Sequence, residues 1–207
     1  MRLHAGFSAR VHAWVLAHLG HRYERMVTAR KRLLFAGIGG SVLEIGPGTG
    51  PNLSYYPHGI HWLGVEPNPY MISHLKAAAA RAGIDVDIRS GTAEHLPADD
   101  NSIDTVVSTL VLCSVNDPEH VLREVCRVLK PGGKFLFLEH VAAPPGTFLH
   151  RLQRFIRPLW KRIGDGCHPD RDTGSVISRA GFSEVNYESF RLPIGPVAPQ
   201  IIGVAIK

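Results

Sequence analysis

The chain has 207 residues, 44% of them hydrophobic, with a mean hydropathy of zero. That composition supports one globular domain with a sizeable core and excludes a disordered chain. The formal net charge of +5 is concentrated at the front, where residues 1–36 hold seven arginines and lysines against Glu24 alone, so nearly neutral sequence follows and nucleic acid is not an expected partner.

The three cysteines, Cys113, Cys126 and Cys167, are odd in number and lack a C-x-x-C pair. This argues against a disulfide framework and against a structural zinc site, and it sets a reducing, cytoplasmic expectation with no metal. No apolar run reaches the length of a membrane span, and no signal-peptide core is evident at the front. The protein is therefore expected to be soluble, or at most peripheral to a membrane.

Residues 3–35 carry apolar side chains at helical spacing, Val11, Val15 and Leu19, then Tyr23, Met26 and Val27. One or two helices should form a cap over residues 1–36, ahead of a main domain at 37–207. Two readings of its basic face stand: a solvated surface on a cap packed against the core, or an amphipathic surface touching anionic membrane. Gly37, Gly39 and Gly40 then break the helix.

A buried strand is expected at residues 42–45, running into Gly46, Gly48 and Gly50 at alternating positions, where a ligand can press against bare backbone. A short helix follows at 52–56, then a strand at 61–65 that ends in Glu66. An acid about 20 residues beyond the first glycine is the separation at which a carboxylate holds a ribose diol. The turn Pro67-Asn68-Pro69 leads to a helix at 70–82 closed by Gly83, and residues 85–89 alternate as a strand with one buried face. The loop 91–97 comes next, then an apolar strand whose exit, from Leu110 through Cys113, faces the crevice if the sheet is doubly wound. Cys113 reads as core packing. A helix at 118–129 stops at Lys130-Pro131-Gly132-Gly133, and a strand at 135–139 brings Glu139 and His140 to its end. This pair is the best candidate for acid and base work: His140 can take a proton, and Glu139 can orient it or balance a positive charge.

Residues 147–163 place Phe148, Leu149, Leu152, Phe155, Ile156, Leu159, Trp160 and Ile163 at three- and four-residue steps among arginines and lysines, with Pro158 as a bend. This basic amphipathic helix is expected to be a lid whose apolar face meets an apolar acceptor; the alternative is a core helix with a charged outer face. Residues 164–171 are polar and turn-rich, and are expected outside the core. The adjacent Cys167 and His168 are weak evidence for a metal.

The glycine spacing disfavours a dinucleotide, because Pro51 stands where the last glycine of G-x-G-x-x-G belongs. With Glu44 just before it, the alternating pattern instead resembles the first motif of the class I S-adenosylmethionine methyltransferases, from about residue 38 to the end. Arg127-Val128-Leu129-Lys130-Pro131-Gly132-Gly133-Lys134 is also typical of them. The resemblance implies a doubly wound, Rossmann-like α/β fold with helices on both faces. It implies S-adenosylmethionine as cofactor, with Gly46, Gly48 and Gly50 under the amino-acid part, Glu66 at the ribose hydroxyls, and Glu44, Pro67 and Asn68 among the cofactor-binding residues. Thr92, Ala93 and Glu94 fall at the adenine, with Thr92 in place of the usual aspartate, and Leu110 completes the set. Residues 109–115, 122–129, 139–143 and Asp165-Gly166-Cys167 look most like the methyltransferase-like thiol S-methyltransferases and their bacterial relatives. That implies a small apolar thiol as methyl acceptor and adds Asp165 to His140 and Glu139 as a catalytic candidate. The front departs from the animal members, which carry a hydrophobic anchor. Rivals are a lipid-headgroup or quinone methyltransferase at the membrane surface and a cofactor-binding protein without catalysis.

Overall fold

The computed structural model describes residues 3–207; the side chains of residues 3–8, 12, 15, 19 and 163 are not described. Arg2 and the side chains of Val15, Leu19 and Ile163 used above thus lie outside the described residues. A single 32-residue helix, α1 (Leu3–Leu34), runs through Gly20 without a break. It is followed by β1 (Ser41–Ile45), β2 (His61–Val65), α2 (Ile72–Ala82), β3 (Val86–Arg89), β4 (Ile103–Thr109), α3 (Pro118–Val128), β5 (Leu129–His140), α4 (Phe148–Ile163), α5 (Thr173–Ser178), β6 (Glu184–Arg191) and β7 (Pro199–Ile206).

The strands form one sheet in the order β3-β2-β1-β4-β5-β7-β6. The first five neighbours are parallel, and β7 inserts antiparallel between β5 and β6. The order reverses at β1 and β4, which leave their carboxyl ends side by side at the point where open α/β sheets open a ligand crevice. Alternate residues of the central strands enter opposite cores. Leu43, Val106, Phe135 and Phe137 pack with Leu122 and Val125 of α3 on one face, while Val42, Val107 and Leu136 pack with Leu75 and Ala79 of α2 on the other. Both faces are covered, which is why Val42-Leu43, Val106-Val107 and residues 135–138 are apolar on both sides of the sheet.

Local chemistry sets the helix ends. The Asp117 carboxylate accepts from the His120 amide at 2.9 Å, Pro118 occupies the first turn, and Gly83 closes α2 at φ +65°. Residues 130–133 loop out between the Ile103–Leu129 and Thr105–Lys134 pairs, so the expected turn survives as a bulge entering β5.

α1 is docked rather than free. Val27 packs with Leu138, Leu192 and Ile202, and the Tyr23 hydroxyl donates to Gln200 of β7 at 3.0 Å. Lys31 is completely buried and donates to both oxygens of Glu24 at 2.6 and 2.9 Å. Burial lowers the lysine pKa, and Glu24 opposes that shift. Removing one partner strands the other charge, whereas removing both does not. Glu24→Ala should therefore cost about 3 kcal/mol, and Glu24→Ala with Lys31→Met should recover most of that loss. Urea denaturation of the three proteins checks this; equal losses in the single and double variants would contradict it.

Candidate active site

Three glycines after β1 do two different jobs. A Cβ on Gly46 would meet Val111 Cγ2 at 2.7 Å, and one on Gly50 would meet Ala78, Leu53 and Leu75 at 2.9–3.0 Å. Those two are glycines because other parts of the protein press against them. Gly48, at φ +58°, meets nothing within 4 Å, so its bare backbone faces open space. Its amide donates to Glu66 Oε2 at 2.8 Å, while Glu66 Oε1 accepts from the Asn68 amide at 2.9 Å. The acid at the end of β2 thus shapes the rim of the cradle as well as lying beside it. A carboxylate oxygen that already accepts one hydrogen bond can accept a second, so a ribose hydroxyl is a compatible partner.

Glu44 lies beneath the loop. Its buried carboxylate accepts from Asn52 Nδ2 (2.7 Å), Tyr56 Oη (2.8 Å) and Trp62 Nε1 (3.2 Å), and so anchors the segment after the glycines. Burial raises its pKa, and these bonds together with the charge of Lys31 pull it back. Asn52 also donates to Thr109 Oγ1 at 3.0 Å, while its buried Oδ1 has no partner among the described residues. An acceptor in that position suits an ammonium group.

The loop at 91–98 is tied to α3. Glu124 accepts from the Leu96 amide at 3.0 Å, and Arg127 donates to the Leu96 and Ala98 carbonyls at 3.0 and 2.8 Å. Hydrogen bonds from Arg127 hold the Glu124 carboxyl down at about 2. Ala93 is buried, Glu94 half-buried and Thr92 exposed, so Thr92 points away from the packed side of its loop. Pro67 is exposed and Asn68 buried; Asn68 Nδ2 donates to the Ala9 carbonyl of α1 at 3.0 Å. At the far edge of the crevice, Leu110 packs in the cluster containing Val27, with Tyr23 and Met26 beside it. The first helix therefore spans the carboxyl ends of the strands, a covering role that sequence periodicity alone did not reveal.

The exit of β4 is the second half of the site. Leu110 turns the chain at φ +58°. The amides of Val111, Leu112 and Cys113 and the hydroxyl of Ser108 then donate to the carboxylate of Glu139, at 3.0, 3.0, 3.4 and 2.9 Å. Glu139 is wholly buried; burial raises its pKa and these donors oppose the rise. This corrects the expectation that Glu139 orients His140: its oxygens are turned into the neighbouring strand's exit. The carbonyls of the same turn are taken from the other side. Arg171 Nη1 donates to Leu112 O and Val115 O, and the His168 amide donates to Cys113 O at 2.9 Å.

His140 is buried, with Nε2 at 2.9 Å from Cys167 Sγ, and Trp160 Nε1 lies 3.2 Å from the same sulfur. Cys113, His140 and Cys167 bring their ligand-type atoms within 4.8 Å of one another. All three cysteines of the chain are free thiols. Cys167 is held low by the hydrogen bond from Cys113 and then by His140 and Trp160; Cys113, the donor that keeps its proton, is pushed up by that bond and by burial. His140 Nδ1 has no partner among the described residues.

Two expectations about the C-terminal third are overturned. Residues 164–171 are not an outer loop: Cys167 is 8% exposed, and the segment is hydrogen-bonded onto the exit of β4. Asp165, at φ +49°, is exposed at the tip of this segment. Nor does α4 turn all of its apolar residues inward: Leu149, Leu152, Ile156 and Trp160 are half-buried on the docked face, and Phe148, Phe155 and Leu159 are not. It is pinned by Gln153, which is fully buried and bonds Ala143 N, Val141 O and Pro196 O, while Phe148, Phe155 and Leu159 are 80%, 85% and 63% exposed. The docked face is set by Gln153, which satisfies three backbone groups, together with the half-buried Leu149, Leu152, Ile156 and Trp160 around it.

An open α/β sheet, a bare glycine cradle and an acid at the tip of the next strand together make a crevice of the kind that binds nucleosides. A family described as methyltransferase domain matches residues 43–137, from β1 to the middle of β5. The human thiol S-methyltransferase TMT1A is 39% identical over 199 residues, covering 89% of this chain and 81% of that protein. The rat thiol S-methyltransferase TMT1B is 41% identical over 207 residues, covering 94% and 85%. The crystal structure of an S-adenosylmethionine-dependent methyltransferase from Thermotoga maritima superposes with a TM-score of 0.61 at 24% identity, covering 93% of this chain and 98% of that one. The chain belongs to the S-adenosylmethionine-dependent methyltransferases, in the family of these thiol S-methyltransferases. Its cofactor is S-adenosylmethionine, and the open face at Gly48, the carboxylate of Glu66 and the buried acceptor Asn52 Oδ1 fit that group.

The glycine roles separate experimentally. Gly48→Ala should weaken S-adenosylhomocysteine binding at least tenfold, with a stability loss limited to the left-handed backbone penalty of about 1–2 kcal/mol. Gly50→Ala should lose more stability than Gly48→Ala because its methyl meets the core. Calorimetry and denaturation on both variants check this, and similar effects at the two positions would contradict it.

Proposed function

We propose that this chain transfers the methyl group of S-adenosylmethionine to a small apolar thiol, releasing the methyl thioether and S-adenosylhomocysteine. The observation that carries the reading is the extent of the likeness to thiol S-methyltransferases, which reaches beyond the cofactor-binding half into the segments that differ among methyltransferases. The chemistry agrees. A thiol of pKa near 8.5 is a few per cent thiolate at neutral pH and is an intrinsically strong nucleophile, so alignment and exclusion of water supply much of the catalysis. In this reading the glycine cradle and Glu66 hold the cofactor, the 91–98 loop takes the adenine, and Leu110 with Val111 forms the wall beside the methyl group. α1 covers the crevice from outside.

Incubation with S-adenosylmethionine and a panel of alkyl thiols, amines, quinols and lipid headgroups should give methyl thioethers as the principal products by mass spectrometry. Methylation confined to amines, quinols or lipids would overturn the thiol assignment.

A second element of the proposal concerns location. Among the described residues no helix is long and apolar enough to cross a membrane. α4 instead presents Phe148, Phe155 and Leu159 outward, flanked by the exposed Arg151, Arg154, Arg157, Lys161 and Arg162. An apolar ridge edged with cations suits the surface of an anionic bilayer, where an apolar acceptor would also be concentrated. The protein should cosediment with vesicles containing anionic lipid, and Phe155→Glu should reduce that several-fold while leaving cofactor affinity unchanged. Equal cosedimentation of the variant would exclude α4 as the contact.

A further inference from the structure

We propose that Cys113, His140 and Cys167 form a binding site for a soft divalent cation, Zn²⁺ by its ligand chemistry, and that the acceptor thiol is its fourth ligand. The inference rests on the thiol reading above.

Three separate elements converge to make the cluster. Cys113 lies on the exit of β4, His140 at the end of β5, and Cys167 on the segment after α4. Each side chain is buried, and the two sulfurs and an imidazole nitrogen lie within 4.8 Å of one another. Two thiolates and an imidazole are a borderline-soft donor set, and three protein ligands with one open position is the pattern of a zinc site that binds a reactant. In the metal-free protein the same atoms must share protons instead. His140 Nε2 and Trp160 Nε1 both sit on Cys167 Sγ, so two nitrogen groups and a neighbouring thiol crowd one sulfur. The imidazole stays under-satisfied, with buried Nδ1 finding no protein partner among the described residues. A divalent ion replaces the shared protons at the point where the three groups meet.

The surroundings are built to hold the cluster still. The amide of Cys113 is held by Glu139 and its carbonyl by the His168 amide, so the same clamp fixes a cysteine and the residue adjoining the second cysteine. The cluster also sits next to the cofactor cradle, because Val111, two residues before Cys113, is the side chain that presses on Gly46.

The step balances without an oxidant or reductant. Coordination releases the proton of the acceptor thiol to solvent, leaving its sulfur as a bound thiolate. A sulfur lone pair forms the new bond to the methyl carbon as the methyl–sulfonium bond breaks, and the electron pair of that bond returns to the sulfur of S-adenosylhomocysteine. The neutral thioether is a poorer ligand than a thiolate, so another thiol replaces it.

The test is metal binding by the whole protein, read apart from activity. Full-length protein, reduced and then equilibrated with Co²⁺ as a spectroscopic stand-in, should bind one ion per chain with intense sulfur-to-cobalt absorption in the near ultraviolet. Cys113→Ser and Cys167→Ser should each weaken binding at least tenfold, Cys126→Ser should not, and an alkyl thiol should shift the visible bands. Failure to bind Co²⁺ or Zn²⁺ stoichiometrically, a Cys113–Cys167 disulfide in the protein isolated under reducing conditions, or bands indifferent to added thiol would overturn the proposal. Methyl transfer to thiols persisting in protein shown to be metal-free would overturn it too, while leaving the thiol reading intact. Thiol-responsive metal binding with no thiol methylated would instead remove the thiol methyltransferase reading and leave the metal site standing.

Discussion

One buried carboxylate governs the working end of this protein. Glu139 gathers three successive backbone amides and a serine hydroxyl from the neighbouring strand. In a site with no bulk water those donors are what make an ionised group tolerable, and each is stronger for pointing at charge. The turn they define has Leu110 in a left-handed conformation that costs a branched residue energy, so the clamp must supply what the local backbone does not. From this follow the position of Val111 against Gly46, the position of Cys113 beside His140 and Cys167, and the surface onto which Arg171 and His168 bring the last third of the chain. The two halves of the site are thereby coupled through a few hydrogen bonds.

A parallel arrangement operates at the other edge. Glu44 sits under the glycine loop as Glu139 sits under the exit of β4, each buried and each consumed by side-chain or backbone donors. Only Glu66, at the tip of β2, combines two backbone donors with a place at the rim. Three acids, on β1, just past β2 and on β5, thus have different surroundings: Glu44 and Glu139 hold loops in place, and Glu66 lies at the rim of the cradle. Roofing by α1 adds a lid from the opposite end of the sequence to the helix that amphipathicity had suggested.

Much of this was legible in the chain itself. The alternating glycines, Glu66 and the helix stops at Gly83 and 130–133 located the ends of β1, β2, α2 and α3, because each is a local rule about backbone freedom or strand ends. The C-terminal half was less readable for physical reasons. Periodicity located α4 but did not show which part of its apolar stripe would dock, since the docked face centres on a polar residue, Gln153, bonding to groups distant in sequence, with Leu149, Leu152, Ile156 and Trp160 around it. The half-exposed β6 and the short α5 carry little pattern and went unassigned. Cys113, His140 and Cys167 follow no metal-ligand spacing; 27 residues separate His140 from Cys167, and only the folded sheet brings them together. Only Cys113 and His140 lay on segments leaving the carboxyl ends of strands; Cys167 follows α4, so no local signal joined it to them.

The account turns on Glu139 as the anchor of the β4 exit rather than as a proton carrier, and Glu139→Ala measured for cofactor affinity, stability and methyl transfer together is the direct test. It predicts that all three fall in concert, with about 3 kcal/mol or more of stability lost because several buried donors lose their partner at once. Methyl transfer abolished while S-adenosylhomocysteine affinity and the unfolding midpoint remain those of the unaltered protein would contradict it, and would return the carboxylate to the chemistry.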